Sequence, residues 1–163
     1  MTNHYSVPGT YGEYSHRSLI WGKHQMVGAG TQLTAQTGMR ILSAGGNAVD
    51  AAVASALTAG VLEPTAHYTL GGEVAFLFYD AAEDKVRSIV GQGWAPKQAT
   101  IEFYNSHFGE IPSGALSTTV PGVISALLAM LQSYGTYSFA EVVEDALNFA
   151  RDGFPAYQLF SKA

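Results

Sequence analysis

No cysteine occurs in the 163 residues, which excludes disulfides, thiolate metal sites and a cysteine nucleophile. Charge is scarce as well: Asp, Glu, Lys and Arg make up 13% of the chain, about half of the ~25% usual in globular domains. With so few charged side chains to cover a surface, the chain must pack tightly or bury a face against something else. The 8 Lys and Arg are scattered and the net charge is −5. That argues against a nucleic-acid partner, because phosphate contact needs clustered cations. No apolar run approaches the ~18 residues of a membrane span, so no membrane partner is expected. Met1 to Ile20 is polar and aromatic, without the apolar run behind a basic end that marks a secretory signal. The expected location is cytoplasmic, or periplasmic or secreted if a leader was removed.

Familiar site motifs are missing too. There is no His-x-Glu-x-x-His pair, no Gly-x-Ser-x-Gly elbow and no phosphate loop. The histidines are His4, His16, His24, His67 and His107, and none has a second histidine three or four residues on. No metal and no cofactor is expected. His67 lies in the loop after Pro64, near Glu63 and Glu73, and a structural or solvated role is its default. Glu63 either caps or pairs inside a buried loop. Thr118 and Thr119 are hydroxyls, but one of them is expected to cap the helix near Pro121. Trp94 either walls a pocket or fills a gap in the core.

The segment Gly38–Ala54 is the most informative stretch present. It reads as one helix, ended by Gly45-Gly46, and a second that starts at once. Gly45 can take left-handed backbone angles without a Cβ penalty. Asn47 offers an oxygen to the free N–H groups of the next turn, and Asp50 is a short version of the acidic partner in a capping box. The second helix is then nearly all small, through Ala48, Ala51, Ala52, Ala54, Ser55 and Ala56. Such a helix packs closely and must be buried.

Pattern and punctuation give the remaining elements. Residues 1–24 read as an irregular arm with Tyr5, Tyr11 and Tyr14, and 25–163 as the domain. Residues 25–30 read as a short strand, and 32–44 as a helix capped by Thr31. Helix 48–62 stops before Pro64. The apolar run 74–79 suits a strand buried on both faces. A polar turn over 80–84 returns the chain as strand 85–90, with Lys85 and Arg87 outward and Val86 and Ile89 less polar. Residues 91–99 and 105–119 read as loops. Helix 121–134 begins on Pro121 and ends at Gly135. Ser138 and Glu141 form a capping box for helix 139–151, whose inner side is Val142, Val143, Ala146, Leu147 and Ala150. Gly153 and Pro155 close it. The order strand, helix, helix, hairpin, helix, helix is an α+β layered arrangement. Residues 157–163 carry no structural stop, and the chain reads as truncated.

Taken in order, these blocks resemble the γ-glutamyltransferase family of N-terminal-nucleophile hydrolases. The carriers are Ala44-Gly45-Gly46-Asn47-Ala48-Val49-Asp50-Ala51-Ala52-Val53-Ala54, Leu62-Glu63-Pro64 and Leu70-Gly71-Gly72-Glu73-Val74-Ala75-Phe76. They continue with Gly91-Gln92-Gly93-Trp94-Ala95-Pro96, Val120-Pro121-Gly122, Tyr134-Gly135 and Ala150-Arg151-Asp152-Gly153-Phe154. The resemblance implies part of an αββα sandwich, made as a precursor whose autocleavage exposes a threonine on a small subunit. That threonine cleaves an amide, γ-glutamyl or related, through an acyl-enzyme that passes to water or an amine. It lies beyond this chain, so no catalytic residue is expected here. The implied partners are the rest of the large subunit, the threonine-bearing small subunit and a small-molecule amide. The implied substrate-binding residues are Gln92, Gly93 and Trp94. Gln92 stands where the family has an arginine for the glutamate α-carboxylate, and glutamine cannot form that charged bidentate pair. The alternative is a non-catalytic relative that binds a ligand or partner.

Overall fold

A computed structural model describes residues 20–64, 70–157 and 160. It contains α1 (Gln32–Ser43), α2 (Ala48–Leu62), β1 (Val74–Asp80), β2 (Lys85–Gly91), α3 (Ile101–His107), a 3-10 turn at Ala115–Ser117, α4 (Val123–Tyr134) and α5 (Phe139–Asp152). The expected loop position of His67, and His4 and His16 with most of the 1–24 arm, lie outside the described residues.

The α1–α2 corner forms as its residues dictate. Thr31 caps α1 by accepting the Thr34 amide at 3.2 Å. Gly45 closes it at φ 100°, and the Gly46 amide reaches back to the Ile41 carbonyl at 3.0 Å. Asn47 Oδ1 then accepts the amides of Val49 and Asp50 at 2.8 and 3.0 Å. Asp50 returns the bond by accepting the Asn47 amide at 2.8 Å. Small residues bring the two helices together. A Cβ on Gly38 would lie 2.5 Å from Ser55 Oγ, so only glycine lets α2 approach there. Helix α2 is the centre of the molecule, packed on α1, α4 and α5. Val53, Ala54 and Leu57 join Ile41, Val123, Leu127 and Val142 in one buried cluster.

The sheet is a two-stranded antiparallel hairpin, paired from Val74–Gly91 through Asp80–Lys85. Val74, Phe76, Phe78 and Ile89 pack against the helical core. The opposite face is open, contrary to the expectation of a strand buried on both sides. Leu77 is 76% exposed, and Val86 and Val90 are each 68% exposed. The orientation of Arg87 in β2 also differs from expectation. Arg87 faces the helices and Val86 faces away, because Arg87 has partners on the inner side. Its Nε bonds Asp80 at 2.7 Å, and its guanidinium carbon lies 5.8 Å from the centre of the Tyr134 ring. That pairing holds the Asp80 carboxyl below the usual carboxylate range.

An open apolar sheet face has a measurable consequence. Prepared by itself, the 163-residue chain is expected to self-associate in sedimentation velocity. A Leu77→Lys, Val86→Lys variant is expected to shift the distribution to monomer. A monomeric, cooperatively melting unsubstituted chain would contradict this.

Five further expectations are corrected. Residues 25–30 form no strand; Val27 instead lies across α1, where its methyl carbon would be 2.9 Å from a Cβ on Gly38, with no sheet edge beside it. Helix α4 starts at Val123 rather than Pro121, and its N-cap is Gly122 with no side-chain bond. Thr118 does not cap it, since its hydroxyl donates to the Ala115 carbonyl at 2.7 Å. On α5, Val142 and Ala146 are buried as expected, but Leu147 and Ala150 are exposed. Helix α3, capped by the Thr100 hydroxyl accepting the Phe103 amide at 3.1 Å, runs to His107 and so takes up the first residues of the stretch 105–119 expected as loop.

Candidate functional site

Three backbone segments meet at the end of β2. The Gly72 carbonyl accepts the amides of Gly122 and Val123 at 3.0 and 3.3 Å. That carbonyl takes up the free donors at the start of α4, which no side chain caps. The Trp94 carbonyl accepts the Val120 amide at 2.9 Å. Glycines make the approach possible. A Cβ on Gly93 would collide with the Val120 carbonyl, and one on Gly122 would collide with the Gly91 carbonyl. The inward-facing Gly91 has Val74 Cγ1 2.9 Å from where its Cβ would be.

Gln92, Gly93 and Trp94 are thus presented at one end of the hairpin from a backbone held on the loop before α4. Gln92 is exposed and Gly93 half-buried. Trp94 is 86% exposed, so the alternative that it fills a core gap is overturned; its backbone is pinned while its ring stays outside the core. The chain leaves this point at Ala95 and returns at Val120. In between, Phe103 packs on Tyr104, His107 and Phe108, with ring centroids 4.8 to 6.0 Å apart. The Tyr104 hydroxyl donates to the Leu116 carbonyl at 2.5 Å. Nothing in the sequence pattern signalled this closed excursion, because its closure depends on one backbone bond between residues far apart in the chain.

The other titratable candidates resolve into structural roles. Glu63 Oε1 accepts the Thr31 amide at 3.1 Å and the Thr34 hydroxyl at 2.8 Å. It therefore caps the start of α1 and ties it to the end of α2. His107 Nδ1 lies 2.9 Å from both Ser106 Oγ and the Phe103 carbonyl on its own helix. Asp50 does more than box α2. Its carboxylate also accepts the Thr136 amide at 2.8 Å, the Thr136 hydroxyl at 2.7 Å and the Tyr137 amide at 3.1 Å. Burial pushes this carboxyl up, but the hydrogen bonds from Thr136, Asn47 and Tyr137 outweigh it and hold it below the ordinary range. Among the described residues, no group of three His, Asp or Glu is placed to hold a metal ion. No described helix is long and apolar enough to cross a membrane.

Residues 34–163 match the family model described as gamma-glutamyltranspeptidase. The chain is 38% identical over 143 residues to the glutathione hydrolase-like YwrD proenzyme of Bacillus subtilis, covering 86% of this chain and 26% of that protein. Among solved structures, it superposes on cephalosporin acylase from Bacillus halodurans with a TM-score of 0.83 and 33% identity, covering 96% of this chain and 29% of that one. The match to Helicobacter pylori gamma-glutamyltranspeptidase has a TM-score of 0.80 at 26% identity, over 89% of this chain and 42% of that one. The chain therefore spans about a quarter of the length of the curated relatives it matches. Its helices and hairpin form an α+β unit shared with these structures, and the chain belongs to the gamma-glutamyltranspeptidase family.

Proposed function

We propose that this chain is the early part of the large subunit of an amide-cleaving proenzyme. The observation that carries the reading is the family match over residues 34–163, with a relative described as a proenzyme at 38% identity. In this reading, a threonine at the start of a small subunit attacks the substrate carbonyl. Its hydroxyl proton passes to its own α-amine, which titrates near pH ~8 and so serves as base without a histidine. The C–N bond breaks as that proton goes to the leaving amine. The acyl ester then passes to water or to an acceptor amine. This chain supplies no reacting group. It supplies the Gln92–Trp94 edge, which we assign to the acyl group of the substrate.

Gln92 in this assignment donates a neutral hydrogen bond where a guanidinium would pair with a carboxylate. The likeness to an acylase structure supports a substrate other than a γ-glutamyl amide. The test is cleavage of acyl p-nitroanilides by the full-length protein. Release of p-nitroaniline is expected, and a purified, folded protein that cleaves none would reject the reading. For the site itself, Gln92→Arg is expected to raise kcat/KM for γ-glutamyl-p-nitroanilide about tenfold or more. An unchanged value would remove Gln92 from the acyl site.

A further inference from the structure

The geometry points to Trp94 as the residue that selects the acyl group, with a preference for an uncharged acyl chain of apolar or aromatic body. This rests on the assignment of the Gln92–Trp94 edge to the acyl site. Three observations converge. First, the Trp94 ring is 86% exposed although its backbone is fixed. The Val120 amide bonds its carbonyl at 2.9 Å, and Gly93 beside it abuts the Val120 carbonyl. A large apolar ring on an immobilised backbone is a preorganised platform, because little ordering is required when a ligand covers it.

Second, no charged side chain stands between Arg87 and Lys97. Arg87 is taken up at the other end of the strand by Asp80 and Glu83, at 2.7 and 3.3 Å. Gly91 lies four steps further along the strand, or about 13 Å. A substrate carboxylate at Gln92 would thus lose its hydration without gaining a paired cation from this strand. Third, the residue bonded to this edge is itself apolar: Val120, whose amide reaches the Trp94 carbonyl, is 51% exposed. Ring and neighbour together favour an apolar acyl body, and Gln92 can donate to an uncharged carbonyl or hydroxyl on it.

The test compares phenylacetyl-p-nitroanilide with γ-glutamyl-p-nitroanilide on the full-length protein. The unsubstituted protein is expected to favour the phenylacetyl compound in kcat/KM by about tenfold or more. Trp94→Ala is expected to lower that preference about tenfold, mainly through KM, and Trp94→Phe to restore most of it. Cleavage of both compounds with a γ-glutamyl preference would overturn this inference while leaving the amide-cleaving function standing. A phenylacetyl preference that Trp94→Ala leaves intact would remove Trp94 as its source. Cleavage of neither would reject the function and this inference together.

Discussion

Asp50→Ala is expected to destabilise the protein by about 3–5 kcal/mol. Asp50 is fully buried and accepts the amides of Asn47, Thr136 and Tyr137 as well as the Thr136 hydroxyl. Alanine leaves three amides without their acceptor, each costing about 1–3 kcal/mol when water cannot fully replace it. It also removes half of the α2 capping box and the tie between α2 and the turn leading into α5. Against a typical stability of about 5–15 kcal/mol, this is a large loss. Urea denaturation of the full-length protein measures it, and a change below about 1 kcal/mol would contradict it. The pH dependence has a definite sign. Because the folded-state carboxyl is held below its ordinary range, its contribution is complete above the unfolded value of about 3.9. It is lost as pH falls through the lower folded value. The difference between the unsubstituted protein and Asp50→Asn is therefore expected to be greatest near neutrality and to shrink in acid.

Gly93→Ala carries the second large effect, and it falls on activity. The new Cβ would collide with the Val120 carbonyl, with the carbonyl carbon 2.5 Å and the amide nitrogen 3.2 Å away. These are backbone atoms, which cannot swing aside as a side chain can. Relief requires residues 93 and 120 to separate, which breaks the bond from the Val120 amide to the Trp94 carbonyl. The expected cost is about 2–4 kcal/mol. Gln92 and Trp94 would move with the strand end, and a displacement of about 1 Å at a binding edge can lower turnover about a hundredfold. Gly28→Ala is the matched control, since nothing lies within 4 Å of its would-be Cβ. In an acyl-anilide assay Gly28→Ala is expected to match the unsubstituted protein, and Gly93→Ala to fall about a hundredfold. Full activity in Gly93→Ala would show that the close approach at Val120 does not hold the site.

Features set by neighbouring residues could be read directly from the chain. The Gly45 stop, the Asn47–Asp50 box and the Ser138–Glu141 box all form as their spacing requires. So does the hairpin, which gains one residue on each strand relative to expectation. Errors arose where distant residues decide. Arg87 reads as outward because alternation alone does not reveal that Asp80 and Tyr134 hold it on the inner face. Residues 25–30 have strand composition but no strand beside them. Helix α3 is only seven residues long, and the Gly109, Pro112 and Gly114 that follow hid its Thr100 cap. At the candidate site, Gln92, Gly93 and Trp94 are singled out by the family resemblance of their block. Their clustering with Gly72, Val120 and Gly122 is not legible in the sequence, because it depends on backbone hydrogen bonds between three segments.

The amide-cleaving reading is tested most directly by the intact mass and N-terminal sequences of the purified full-length protein. Two chains are expected, the larger containing this sequence and the smaller beginning with threonine. A single uncleaved chain of full mass, unable to release p-nitroaniline from any acyl anilide, would contradict it.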